Sequence, residues 1–115
     1  MIHGIGIDIV DVVRFKKALL RWGDRLSSRL FTRPEIDYCF SHKRPERHLA
    51  ARFAGKVSLI KALGKPLSFK DIEITRDNDG RPSIKAAGIE GLVFNLSITH
   101  DGDLSIAETI IEKAG

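Results

Sequence analysis

The sequence predicts one domain that mixes α and β structure, with helices gathered before residue 64 and strands almost all after residue 71. Three observations carry that expectation. Apolar residues recur at helical spacing over 45–63, strict alternation marks 92–99, and Asp77-Asn78-Asp79-Gly80 is a hairpin signal between two short runs. A chain of 115 residues has room for one hydrophobic core and little more.

The first element is a strand over 2–10, rich in β-branched residues. On it Gly4, Gly6 and Asp8 share one face, and Ile5, Ile7 and Ile9 share the other. The isoleucine face is expected to be core. The glycine face, bare except for one carboxylate, admits a ligand, a second backbone or a subunit contact. Asp11 can cap a helix reaching about Trp22, with Val12, Val13, Phe15, Leu19 and Leu20 on its apolar side. Thr32, Pro34 and Glu35 supply the cap, first-turn proline and early acid of a short helix that ends near His42.

A longer helix should follow Pro45 and stop at Gly64, with Leu49, Phe53, Ile60 and Leu63 as its stripe. Lys56 projects near the middle of that stripe, Val57 lies on its flank, and Lys61 stands one turn further on. An interior lysine either snorkels to solvent or takes part in chemistry. Strands are then expected over 71–76, 83–86, 92–99 and 103–112. In the third of these, Leu92, Phe94, Leu96 and Ile98 face one way, and Val93, Asn95, Ser97 and Thr99 the other, with His100 at the end. That polar row is either a wall for a ligand or a half-exposed surface.

The formal net charge is +4, but seven basic residues lie from Arg14 to Arg33 against Asp24 alone. Arg14, Lys17, Arg21 and Arg25 fall at steps of three and four residues, so a helix would align them as a basic stripe. Such a stripe meets an anionic partner or is simply a solvated face. Nucleic acid is not the expected partner: no groove-reading or RNA-stacking motif accompanies the charge, and aromatic content is 7%. Cys39 is the only cysteine, which excludes an internal disulfide and a cysteine-based zinc site. No charged leader and no apolar run near the roughly 20 residues of a membrane span is seen, so no membrane partner and a cytoplasmic location are expected.

Four segments, in this order, resemble the small 4′-phosphopantetheinyl transferases that activate acyl carrier proteins, the holo-(acyl-carrier-protein) synthase family. They are Gly4-Ile5-Gly6-Ile7-Asp8-Ile9-Val10-Asp11-Val12-Val13-Arg14-Phe15, then Ala51-Arg52-Phe53-Ala54-Gly55-Lys56-Val57-Ser58-Leu59-Ile60-Lys61-Ala62-Leu63-Gly64. Asn78-Asp79-Gly80-Arg81-Pro82 and Leu96-Ser97-Ile98-Thr99-His100 complete the set. Together they span nearly the whole chain.

The resemblance implies an α+β fold, an antiparallel sheet packed on a long helix, in one transferase domain over 1–115 that assembles as a homotrimer with sites at subunit interfaces. It implies attack by a carrier-protein serine on the β-phosphate of coenzyme A, leaving adenosine 3′,5′-bisphosphate, with Mg2+ on the pyrophosphate and a role in fatty acid biosynthesis. Asp8 matches the metal ligand. Lys61 matches a lysine that neutralises phosphate charge or assists proton removal, and Lys56 its neighbour in the motif. His100, Thr99 and Ser97 match the stretch that touches coenzyme A phosphates, while Gly64, Arg52, Arg81 and Pro82 match segments near the nucleotide. Arg14, Lys17, Arg21 and Arg25 become a docking surface for the acidic acyl carrier protein.

The chain departs from the pattern in places. Val57 stands where the family has a second metal-binding glutamate, so a catalytically impaired homologue that only binds coenzyme A or carrier protein is the alternative. Asp11 replaces a glutamate, and Thr99 a serine. The stretch 82–97 is short, so a connecting helix is expected to shrink to a loop around Gly88 and Gly91.

Overall fold

Asp11 closes the first strand and opens the first helix: its extended backbone still pairs across the sheet, and its carboxylate accepts from Arg14 N at 3.1 Å. The computed structural model describes residues 1–115 and has an α+β fold in which β1 (Ile2–Asp11) leads into α1 (Val12–Trp22), α2 (Asp24–Leu30), α3 (Arg33–Phe40) and α4 (Pro45–Leu63). After a 3-10 turn at Phe69–Asp71 come β2 (Ile72–Arg76), β3 (Pro82–Ala86), β4 (Leu92–Asp101) and β5 (Leu104–Lys113). All pairing is antiparallel. A three-stranded sheet has the order β1-β5-β4, and β2-β3 form the separate hairpin announced by Asp77 to Gly80.

The caps act as the sequence anticipates. Thr32 and Glu35 form a reciprocal capping box on α3, and Gly64 ends α4 in the left-handed conformation at φ 71°. The short link between β3 and β4 is a loop with Gly88 and Gly91 at positive φ, not a helix. One element was not foreseen. Gly23, at φ 57° and ψ −138°, breaks the basic segment, so α2 is a separate seven-residue helix without a side-chain cap.

The burial of β1 is the reverse of the expectation. Ile5, Ile7 and Ile9 are more than half exposed, while Gly6 and Val10 are buried. The cause is the close approach of α4: a Cβ on Gly4 would sit on the carbonyl oxygen of Ala62, and one on Gly6 on that of Ser58. Glycine lets a helix lie on the sheet at backbone distance, so the long helix takes that face. Beneath it are Ser105, Ala107, Thr109 and Ile111 of β5, with Ser58 Oγ 2.7 Å from Thr109 Oγ1.

Around α4 the core has two parts. Val10, Val12, Phe15, Phe31, Cys39 and Leu49 gather under the helices, while Leu59, Ile72, Ile74, Ile84 and Ile111 join its second half to the hairpin and sheet. No helix is long and apolar enough to cross a membrane.

Candidate active site

Asp8 leaves β1 on the glycine face and meets Lys61 from the last turn of α4, with Nζ to Oδ1 at 3.2 Å. Lys61 also donates to Ile7 O at 3.0 Å. Close packing at Gly6 puts the two residues together although they are 53 positions apart. The carboxylate is mostly covered, at 16% exposed, while the lysine is 53% exposed. An ammonium has three N–H donors; two are engaged, and one remains for an anion.

Beside Asp8 opens a cavity of about 510 Å³ whose walls include Asp11, Arg14, Phe15, Phe53 and Val57. Asp11 Oδ1 is committed to the α1 cap. Val57 is half-buried and offers no donor or acceptor. The fit to magnesium is therefore partial. One carboxylate, Asp8, suits a hard cation that fills its other positions with water and phosphate oxygens, and no group of three or more His, Cys, Asp or Glu in the chain could hold a metal by itself.

Lys56 is not at this site. Its amine is fully buried and bonded to Glu35 Oε1 at 2.6 Å, Leu30 O at 2.8 Å and Phe69 O at 3.0 Å, which uses all three of its donors. Glu35 in turn accepts from Thr32 N and Ile74 N. Lys56, expected among the catalytic residues, lies away from the Asp8–Lys61 pair and ties α2, α3 and the 3-10 turn to the long helix.

A second cavity, of about 200 Å³, is lined by Arg47, His48, Ala51, Arg76 and His100. Four of its five walls are basic and none is acidic, which suits a phosphate. His100 Nδ1 lies 2.9 Å from Ser105 Oγ, which orients the ring. His48 stacks on His42 with ring centroids 4.1 Å apart, and His42 stacks on Tyr38 at 4.6 Å. Burial, then Arg47 and Arg76, hold His100 below the ordinary histidine range; burial, then His42, Arg52 and Arg76, do the same to His48.

Arg52, expected near the nucleotide, is 3% exposed; its guanidinium lies over the Tyr38 ring at 4.4 Å, and its Nε is buried without a hydrogen-bond partner. Cys39 beside it is an inert core thiol, pushed up to about 11 chiefly by burial.

The remaining residues expected to bind coenzyme A fall in several places. Arg81, Pro82 and Ser97 share a third cavity, of about 480 Å³, with Asp77 and Asn95. Thr99 is exposed on the outer sheet face, and Gly64 is exposed at the end of α4, three residues beyond Lys61. Arg14, Lys17 and Arg21 are exposed on α1, but Arg25 lies beyond the Gly23 break on α2, so the stripe is two short pieces. Arg47, His48 and Arg76 escaped the sequence reading. Arg47 and Ala51 show helical spacing, but Arg76 and His100 come from other elements and carry no local signal.

The model of the 4′-phosphopantetheinyl transferase superfamily matches residues 4–109. A holo-[acyl-carrier-protein] synthase of Thermodesulfovibrio yellowstonii is 43% identical over 113 residues, covering 96% of this chain and 99% of that protein. The crystal structure of holo-[acyl-carrier-protein] synthase from Neisseria meningitidis superposes with a TM-score of 0.89 at 30% identity, covering 98% of this chain and all of that one. A holo-(acyl-carrier-protein) synthase of Bacillus anthracis, solved in complex with CoA (3′,5′-ADP), gives 0.88 at 32% identity, with 99% of each chain covered.

Proposed function

The chain belongs to the 4′-phosphopantetheinyl transferase superfamily, among the holo-[acyl-carrier-protein] synthases, and from that premise we propose that it transfers 4′-phosphopantetheine from coenzyme A to a serine of an apo acyl carrier protein. The observation that carries the reading is the Asp8–Lys61 pair, whose carboxylate lines a cavity. The serine oxygen bonds to the β-phosphorus as its proton passes to water, the bridging P–O bond breaks, and adenosine 3′,5′-bisphosphate leaves with the bridging oxygen. Such a transfer needs alignment and charge neutralisation more than covalent machinery. Lys61, steadied by Asp8 and Ile7 O, directs its free donor at the charge that develops on the phosphate oxygens. Magnesium, when bound, would add neutralisation on the pyrophosphate, with Asp8 as the protein's ligand.

The basic cavity of Arg47, His48, Arg76 and His100 supports a place for a coenzyme A phosphate, and Ser97, Arg81 and Pro82 for another part of the nucleotide. Exposed Arg14, Lys17 and Arg21, with Arg25 beyond the break, suit the acidic carrier through complementary fields. The outer sheet face carries Ile5, Ile7 and Ile9 on β1 and Ile106 and Ile110 on β5, with Val93 on β4. An apolar face of that kind supports the homotrimer, in which neighbouring chains would cover it. One transferase domain over 1–115, acting in the cytoplasm, completes the reading.

Incubation with coenzyme A, magnesium and apo carrier protein should raise the carrier's mass by one phosphopantetheine arm, seen by intact-protein mass spectrometry. A second reading, favoured by Val57, is a homologue that binds both partners without transferring. It predicts no mass gain at high enzyme concentration, binding of both partners by calorimetry, and recovery of transfer in Val57→Glu. Absence of binding to either partner removes both readings.

A further inference from the structure

We infer that Val57 makes divalent-cation binding by this chain conditional on its diphosphate substrate: the free chain has no competent site, and the metal enters as its complex with coenzyme A. This rests on the transfer reading above. In the free chain Asp8 is the carboxylate of the cavity without a backbone hydrogen bond, since Asp11 gives Oδ1 to the α1 cap. Yet Asp8 is not bare: Lys61 Nζ stands 3.2 Å from Oδ1 and is anchored on its other side by Ile7 O at 3.0 Å. The pair sums to no net charge. A cation approaching Asp8 meets an ammonium already in place, and Val57, in the same wall, supplies no second oxygen to tip the balance.

A diphosphate changes both sides of that competition. Its anionic oxygens accept from the free donor of Lys61 on its exposed side and share the ammonium's charge, which lowers the repulsion that a cation meets at Asp8. They also supply the ligands that Val57 does not. Magnesium sheds water reluctantly and is commonly held by one or two carboxylates plus substrate phosphates, so Asp8 and a diphosphate suffice where Asp8 alone does not. The order of events follows: the metal arrives with the diphosphate, and it loses its site when the diphosphate is cleaved. Adenosine 3′,5′-bisphosphate, which has two separated monophosphates, should not restore the site.

The test uses manganese as probe, with bound metal read by electron paramagnetic resonance rather than by turnover. Metal-free calorimetry with coenzyme A comes first. If coenzyme A does not bind, the transfer reading and the substrate-conditional site fail together, and the free-chain comparison still decides what Val57 does. Without coenzyme A, Val57→Glu should bind manganese at least about tenfold more tightly than the natural chain. With coenzyme A, the natural chain should show protein-bound manganese that Asp8→Asn lacks, which separates it from manganese held by coenzyme A in solution. Val57→Asp serves as the second carboxylate variant should Val57→Glu fold poorly by circular dichroism. Manganese binding to the free natural chain as tight as to either variant overturns the inference, as does a natural chain with coenzyme A indistinguishable from Asp8→Asn.

Discussion

Removing the charge of Glu35 while keeping its shape, in Glu35→Gln, leaves the Lys56 ammonium buried without its counter-ion. Both side chains are fully buried, so solvent cannot compensate. Breaking a buried pair from one side costs about 3–5 kcal/mol. Against a total stability of about 5–15 kcal/mol, that is at least about a fifth of what holds a typical domain folded. With a urea m-value of about 1.5 kcal/mol/M, the midpoint should fall by about 2–3 M. Lys56→Met should cost a comparable amount, because Leu30 O and Phe69 O lose their donor, at about 1–3 kcal/mol each. A double variant, Glu35→Leu with Lys56→Leu, should remain destabilised, since Thr32 N and Ile74 N lose their acceptor as well. Urea unfolding followed by far-UV circular dichroism, at one protein concentration throughout, measures all three. Transfer per folded molecule in Lys56→Met should stay within about threefold of the natural chain, less than about 1 kcal/mol of barrier. An unmoved midpoint in Glu35→Gln, or a stable Lys56→Met that cannot transfer, would refute the structural role of the pair.

Gly6→Ala places a methyl on the Ser58 carbonyl and should cost about 1–3 kcal/mol through overpacking; an unchanged thermal melting point would show that α4 does not lie so close. Ile7→Lys should split the homotrimer proposed above, read as mass by light scattering against the 12.8 kDa of one chain; a natural chain that is already monomeric would count against the covered isoleucine face. His48 and His100 titrate below the ordinary 6.5 in the fold, so as pH falls through 6.5 the unfolded chain binds more protons and stability declines until both are protonated in the fold. A phosphate between Arg47, Arg76 and these rings raises both, so coenzyme A binding should tighten on acidification and take up protons. Calorimetry in buffers of different ionisation enthalpy measures that uptake, and none near pH 6 would rule out contact between the phosphate and the histidines.

Local signals were enough for most elements. Asp11 and the Thr32/Glu35 box start helices, Gly64 stops one, and Asp77 to Gly80 turns a hairpin, because each acts on backbone groups within a few residues of itself. Where no such signal exists, the reading missed: α2 lacks a side-chain cap, and its break at Gly23 rests on one backbone conformation. The resemblance carried by the first two motifs implies that Asp8 and Lys61 serve one reaction, and the fold brings them to 3.2 Å.

Alternation on β1 told its two faces apart, and glycine on one of them told that something could come close. Which face is covered was a matter for the tertiary structure. Both α4 and the isoleucines offer apolar burial, but only the glycine face lets a helix backbone reach the sheet. The same holds for Lys56, whose place in the apolar stripe was legible, whereas its partner, 21 residues away on α3, was not. The basic cavity joins α4, the end of β2 and the end of β4. Period and capping are properties of a chain segment, but enclosure, counter-ions and clustered charge belong to segments distant in sequence that meet only when the core closes.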